Sequence, residues 1–371
     1  MPTQPTVVLF FKGTGLGGAE LNGLKILECL RQEGWSTRLI TGSKGELFER
    51  FAAVTDDQLV ISFPYPRKPA TWFMVPRFYL KVKTFLNRCK GRQVLLVGDF
   101  YELWAALLFR SSIWPVLSLW QGEYSFDDGS CAKKWRRYGA SRADRLLASA
   151  PVAEHANKTG VLLKPVHVLN PCIDEKRFDP ALYDRKKLRE RFGWGEEEHI
   201  AVCVGRIGEG KGQIWLAKTF VDEARFPDTA RLVIVGPGSE NDLQRLRSLE
   251  AQSQGRLSVL GPRDDVPEIL AAADLAIQPG TLAESFGLAA LEACLMELPL
   301  LAFKVGALPF TLGEDYPGLI PSDQSHHLII KWIKLIGRNP QYCTRLVADS
   351  LRLRYGVQEW KDQLQTQLYL K

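Results

Sequence analysis

Four short stretches in the second half of the chain combine residue types that can hold a phosphorylated ligand. Val204-Gly205-Arg206 ends an apolar run, and Lys211 follows in the Gly-rich turn 208–212. Two cations just past the carboxyl end of a strand suit a diphosphate, because ligands of open α/β sheets gather there. The same residues also read as an exposed turn with ordinary charges. Glu284-Ser285-Phe286-Gly287-Leu288 opens a helical pattern, with Ser285 the expected N-cap. The amides of Phe286, Gly287 and Leu288 would then face an anion, assisted by the helix dipole; the plainer alternative is a routine capped helix. From Leu288 to Met296 the one charged side chain is Glu292. A carboxylate on an apolar helix must face water or find donors. A ribose diol supplies two, whereas a lone surface Glu needs none. Glu284 precedes the helix and Glu292 sits one turn inside it, so the pair would flank a bound molecule at its two ends.

A second glycine-rich stretch lies near the amino terminus. Gly13, Gly15 and Gly18 satisfy GxGxxG between a strand-like run and a helical one. Such a loop brings backbone amides close to a phosphate. A dinucleotide site also wants an acid closing the second strand to hold the ribose. That strand ends Leu39-Ile40-Thr41-Gly42, without one. This weakens an NAD-dependent oxidoreductase and leaves a ligand-free tight turn or a diphosphate passing over the loop.

The elements that must position these residues alternate between strand and helix. Strands are expected at Thr6–Phe11, Thr37–Ile40, Val94–Val97, Pro115–Trp120 and Arg145–Ala148. Leu21, Leu24, Leu27 and Leu30 predict a helix up to Gly34. Asn170–Pro180, rich in Pro, Asp and Lys, reads as an interdomain passage. The alternation then restarts with strands at His199–Val204, Arg231–Val235, Leu257–Leu260, Leu275–Gln278 and Pro299–Phe303. Helices are expected at Gln213–Ala224, Leu243–Glu250, Val266–Ala272 and Leu288–Met296. Two such series predict two Rossmann-like α/β domains with parallel sheets.

Length and composition agree with this. A chain of 371 residues, 46% hydrophobic and 24% charged, is ordinary for globular domains and argues against a disordered or fibrous one. It has no charge-free run long enough to span a bilayer as a helix, and no secretory n-region before Phe11. Its seven cysteines are never spaced CxxC, which fits a reducing cytoplasm and gives no zinc site. The net charge of +6 is uneven: residues 1–178 hold 25 Lys/Arg against 16 Asp/Glu, and the remainder 23 against 26. No acid occurs between Gln58 and Gly98, where Arg67, Lys68, Arg77, Lys81, Lys83, Arg88, Lys90 and Arg92 mix with Trp72, Phe73, Phe78, Tyr79 and Phe85. Lys133-Lys134-Trp135-Arg136-Arg137 forms a second basic cluster. Basic charge with interleaved aromatics suits an anionic membrane surface, a polyphosphate ligand or single-stranded nucleic acid, or is simply a solvated face over a core.

The order and spacing of these motifs resemble the retaining glycosyltransferases of family 4: Gly17-Gly18-Ala19-Glu20, Asn170–Phe178, Val204-Gly205-Arg206 with Lys211-Gly212, Val233–Gly238, Ala272-Ala273-Asp274 with Pro279, and Glu284–Leu288 with Glu292-Ala293. The similarity covers nearly the whole chain and is strongest from about 200 to 306. The resemblance implies a GT-B fold, two Rossmann-like domains facing across a deep cleft. It implies an acceptor-side domain over 1–172, a donor domain over 173–350 and a helix over 351–371 crossing back to the first domain. Arg206 and Lys211 would neutralise the donor diphosphate, with Gly205, Gly236, Arg263 and the residues Ser285, Phe286, Gly287 and Leu288 lining the same ligand. Glu284 would bind donor-sugar hydroxyls, and Glu292 the ribose. Gly17 and Gly18 would approach the diphosphate from the other domain. The base is expected near Gly236–Gly238 and Gly261–Asp265.

Two departures from the family pattern stand out. Many relatives carry His-Gly where this chain has Gln121-Gly122, followed by Glu123, on the acceptor side. Glutamine hydrogen-bonds but does not titrate near neutrality, so a His-based proton role is in doubt. A common Pro-Ser is here Pro279-Gly280. The adjacent pairs Asp56-Asp57, Asp127-Asp128 and Asp264-Asp265 are not a DxD metal motif, and the resemblance implies no metal or cofactor. The expected protein is thus a cytoplasmic hexosyltransferase, peripheral to the inner face of the plasma membrane if its basic half engages lipid. It would use a UDP-, GDP- or ADP-linked donor and a glycan or lipid-linked acceptor of cell-envelope polysaccharide, lipopolysaccharide or glycolipid synthesis, with no nucleic-acid partner. Its rival is a non-catalytic nucleotide-sugar-binding or scaffold protein of the same fold.

Overall fold

The structure, a computed structural model, describes residues 4–15, 18–64, 69–98, 100–120, 131–160, 162–282, 284–337 and 345–368. The chain divides into two compact units, Met1–Cys172 with Trp360–Lys371, and Ile173–Glu359.

In the first unit, seven strands form one parallel sheet. They are β1 (Thr6–Phe11), β2 (Ser36–Thr41), β3 (Asp57–Val60), β4 (Gln93–Val97), β5 (Val116–Trp120), β6 (Arg145–Ala148) and β7 (Val166–Val168). Their order is β3-β2-β1-β4-β5-β6-β7, the doubly wound pattern that reverses between β1 and β4. Strict alternation along β1 fills both faces. Val8 and Phe10 enter the core on one side, while Val7, Leu9 and Phe11 enter the other. A strand apolar on both faces is what a parallel sheet covered by helices requires. The helix Gly18–Gln32 buries Leu24, Leu27 and Leu30 against the sheet, but Leu21 of the expected stripe is 39% exposed. Its first-turn position lies off the packed face.

Trp360, Leu364 and Leu368, one turn apart on the helix Val357–Leu368, complete the same core as Val7 and Leu9. Cations from the first unit hold the end of that helix. Arg92 donates to the Leu368 carbonyl (2.9 Å) and Arg145 to that of Thr366 (3.0 Å), serving carbonyls that no helical amide can reach.

In the second unit, six parallel strands follow the order β10-β9-β8-β11-β12-β13. They are β8 (His199–Val204), β9 (Ala230–Val235), β10 (Leu257–Gly261), β11 (Leu275–Gln278), β12 (Leu300–Phe303) and β13 (Leu319–Ile320). Ile200 and Val202 of β8 face one core, Ala201 and Cys203 the other. The connectivity reverses between β8 and β11, so the ligand crevice of this unit is expected at their carboxyl ends.

Candidate functional site

The ladder between β8 and β11 covers only Ala201–Leu275 and Val202–Ala276. Beyond it the side-chain amide of Gln278 donates to the Val204 carbonyl (2.9 Å), fastening the two strand ends where regular pairing has stopped. Both strands give way here to loops, which carry Arg206, Lys211 and Glu284.

Glycines let these loops approach one another. Gly205 and Gly236, closing β8 and β9, have φ of +144° and +146°. A Cβ on Gly236 would lie 2.0 Å from the Gly205 carbonyl oxygen. Gly212, at φ +80°, initiates the helix Gln213–Asp222, and a Cβ there would meet the Pro279 carbonyl at 2.1 Å. The turn 208–212 is thereby pressed onto the loop after β11, where Thr281 N donates to the Gly210 carbonyl (2.9 Å).

This packing brings Lys211 to Glu284, and the ammonium donates directly to the carboxylate. Both side chains remain 29% exposed, so the pair is open to a ligand. Arg206 is exposed and makes no ion pair among the described residues. Its carbonyl accepts from the side-chain amide of buried Gln213 (3.1 Å), which fixes the backbone from which the guanidinium extends.

The helix Leu288–Leu295 begins differently from expectation. Its N-cap is Gly287, in the left-handed region at φ +86° and making no side-chain cap bond, not Ser285. The chain must turn sharply after the buried Phe286 ring, a conformation that costs glycine nothing and other residues a good deal. A Cβ on Gly287 would also lie 2.4 Å from Leu308 Cδ2. Ala290 N already donates to the Gly287 carbonyl (3.0 Å), so the first-turn amides left without an intrahelical acceptor are those of Leu288 and Ala289. Behind them the Phe286 ring sits edge-on to Tyr355, with centroids 5.2 Å apart.

Glu292 lies on this helix among buried Leu291, Ala293 and Cys294. Burial pushes its carboxyl up to about 7; the Arg177 guanidinium pulls it down and Asp174 pushes it up. Arg177 also donates to the Asp264 carbonyl, so it ties the passage after Ile173 to the loop following β10. The arrangement presents a poorly solvated carboxyl that a pair of hydroxyl donors would satisfy.

Not every expected residue is free for a ligand. Arg263 forms a two-pronged bond to Asp265 (2.8 and 2.6 Å), whose carboxylate holds its guanidinium above the usual arginine range. The close spacing, Arg-Asp-Asp, makes that local pair geometrically easy. Gly18 opens the helix Gly18–Gln32 in the first unit, and a Cβ there would meet nothing within 4 Å. Gly17, Gln121, Glu123, Asp127 and Asp128 lie outside the described residues. Arg177 and Asp174 are site residues that the sequence does not single out, although both fall inside the Asn170–Phe178 motif. Their signal is a charge pair in a short segment, which reads as solvated until Glu292 is placed beside it.

Residues 198–338 match the family model described as glycosyl transferases group 1. Among curated proteins, the chain is 30% identical over 160 residues to a GDP-mannose-dependent alpha-(1-6)-phosphatidylinositol monomannoside mannosyltransferase of Mycolicibacterium smegmatis, covering 41% of this chain and 42% of that protein. It is 30% identical over 201 residues to a D-inositol 3-phosphate glycosyltransferase of Corynebacterium glutamicum, covering 52% and 46%. The chain thus spans less than half the length of each of these relatives. The crystal structure of the Anabaena protein HepE in complex with UDP superposes with a TM-score of 0.79 at 19% identity, over 98% of this chain and 99% of that one. The chain therefore has the GT-B fold, and its second unit carries the sequence pattern of the group 1 glycosyl transferases.

Proposed function

We propose that the protein is a retaining glycosyltransferase that moves a sugar from a nucleotide-sugar donor to a glycan or lipid-linked acceptor in cell-envelope polysaccharide, lipopolysaccharide or glycolipid synthesis. The observation that carries this reading is the contact between Lys211 and Glu284 at the carboxyl end of the β8–β11 crossover. A lysine suited to phosphate and a carboxylate suited to sugar hydroxyls standing side by side support the reading. The match of residues 198–338 to glycosyl transferases group 1, and a relative named for GDP-mannose dependence, support it. A solved neighbour bound to UDP is compatible with a nucleotide ligand for this fold.

In this reading the donor diphosphate lies against Arg206 and Lys211 and the first-turn amides of the helix Leu288–Leu295. As the glycosidic bond breaks, negative charge grows on the departing phosphate oxygen. Cations already fixed there stabilise that state more than the ground state. Glu284 turns from Lys211 to the sugar hydroxyls, and Glu292 takes the ribose. The acceptor hydroxyl attacks from the face the nucleotide leaves, and its proton passes to the leaving phosphate. The anomeric configuration is retained, and the fixed side-chain cations perform the charge neutralisation without a metal.

The test is nucleotide release from UDP-, GDP- and ADP-sugars with and without candidate acceptors, with the product anomer assigned by NMR. One donor class is expected to bind, to raise the melting temperature and to be consumed with retention. Inversion, or the failure of every nucleoside diphosphate to shift the melting temperature, overturns the reading.

A further inference from the structure

The first unit carries an apolar and basic surface on which none of the proposed donor residues lies. The helix Val75–Leu86 buries Phe78, Val82, Phe85 and Leu86. On its other side, and on the turn Pro69–Met74 before it, Phe73 is 79% exposed, Leu80 64% and Trp72 59%. Arg77, Leu80, Lys81 and Thr84 recur at helical spacing, so they share one outward stripe, with Trp72 and Phe73 at its amino end. Tyr79 stacks on Phe109 (5.1 Å), and the exposed side chains of Leu108 and Ile113 flank that ring in sequence. Large apolar side chains normally exposed singly are here gathered on one helix and the turn that leads into it.

The charge around them has one sign. Arg77, Lys81, Lys83 and Lys90 make no ion pair among the described residues, and no acid occurs from residue 59 to residue 97. Asp57, the acid just before, already serves Arg38 and Arg88. A second copy of this chain docking through the same face would bring like charges together and be repelled. A nucleic-acid strand wants successive free aromatic faces, whereas Tyr79 is already stacked and Leu80 has no ring. Apolar tips rimmed by long cations without carboxylate partners match the boundary of an anionic bilayer, where hydrocarbon lies below and phosphate around. No described helix is long and apolar enough to cross a membrane, so the contact would lie in the plane of the surface.

We propose that this face docks the protein on an anionic membrane, with Trp72, Phe73 and Leu80 entering the headgroup boundary and Arg77, Lys81 and Lys83 engaging lipid phosphates. It stands whether or not the second unit holds a donor.

Flotation with phosphatidylcholine vesicles, with and without about a third of phosphatidylglycerol, tests it on the full chain. The wild type is expected to float with the anionic vesicles at low salt, less at high salt, and not with neutral ones. The pair Phe73→Ser and Leu80→Ser lowers the partition coefficient by about tenfold or more, since the apolar area entering lipid is lost. The pair Arg77→Glu and Lys81→Glu removes the preference for anionic lipid. Circular dichroism and the nucleotide-induced thermal shift should be unchanged in both variants. The proposal falls if the wild type does not float with anionic vesicles at low salt, or if either variant floats as well as the wild type. It also falls if a labelled single-stranded oligonucleotide displaces the vesicles.

Discussion

The Lys211 ammonium donates to the Glu284 carboxylate, joining two loops 73 positions apart in sequence. Neither residue belongs to a strand or helix, so the contact exists because Gly212 and Pro279 let the loops touch. Under the proposed function, Lys211→Ala removes a cation placed for developing phosphate charge and should lower kcat/KM by about 10²–10³. Glu284→Gln keeps a hydrogen-bonding group but frees the lysine. The double variant should cost less than the two single losses combined, because the residues share one interaction. A full thermodynamic cycle on kcat/KM measures this. Strict additivity would mean the two residues act separately.

Glu292 gives a pH dependence whose sign is fixed by burial. Its carboxyl is raised from 4.5 to about 7 in the folded protein. The folded state therefore prefers the protonated form, and this stabilising preference is fully present below the unfolded value. It is lost progressively as pH rises to about 7, above which the ionised carboxylate remains poorly solvated. Glu292→Gln cannot ionise, so its melting temperature should gain on the wild type between pH 4.5 and 7 and hold that advantage above. Donor binding should run the other way. Under the proposed function, in which the carboxylate accepts from both ribose hydroxyls, affinity for a nucleotide sugar should strengthen through pH 7 in the wild type and stay flat in Glu292→Gln. Calorimetric titration across that range reads both curves.

The close approach of backbone at the crevice makes two glycines intolerant. An alanine Cβ at Gly236 would lie 2.0 Å from the Gly205 oxygen, and one at Gly212 2.1 Å from that of Pro279. Both positions also have positive φ, at +146° and +80°. Gly212→Ala and Gly236→Ala should each cost roughly 1–3 kcal/mol from backbone strain alone, read as a lower denaturation midpoint at unchanged slope. By contrast Gly193→Ala, at φ +70° but with open space around it, should cost less, since it pays for the backbone angle and not for a collision.

Much of the scaffold is legible because parallel strands buried on both faces write themselves as apolar runs. β1, β6, β8 and β11 stand within a residue of their expected ends. β3, β7 and β13 escape a reading of the sequence. All three are edge strands, two to four residues long, and β3 is only partly buried, so no periodicity marks them. The site divides the same way. Type and spacing nominate Lys211, Glu284 and Glu292, and the fold brings the first two into contact. The cap falls at Gly287 and not at Ser285 because a side-chain cap is visible in sequence, whereas a left-handed glycine is visible only once Phe286 is known to be buried. Arg263, expected on the donor, pairs with the carboxylate two residues on, which takes both prongs of the guanidinium. Arg177 becomes meaningful only in three dimensions, where its charge lowers the Glu292 carboxyl and its guanidinium donates to the Asp264 carbonyl.

The loop that presents the helix amides rests on a residue far along the chain. Phe286 meets Tyr355 edge-on at 5.2 Å, and Tyr355, only 5% exposed, ends the helix Arg345–Tyr355. That helix packs on Leu288–Leu295, with the Arg352 guanidinium donating to the Leu295 carbonyl (3.1 Å). Tyr355→Ala removes a large buried ring and should destabilise the second unit by about 3 kcal/mol. Tyr355→Phe keeps the ring and should cost far less. Between them, Tyr355→Leu fills the volume but abolishes the edge-on contact, leaving Phe286 free to shift the amides that follow it. Under the proposed function its expected signature is a donor KM raised severalfold with a smaller change in kcat, since the displaced amides would lose ground-state contact with the phosphate. A lowered melting temperature with donor KM unchanged would reduce Tyr355 to a core residue with no part in holding the loop.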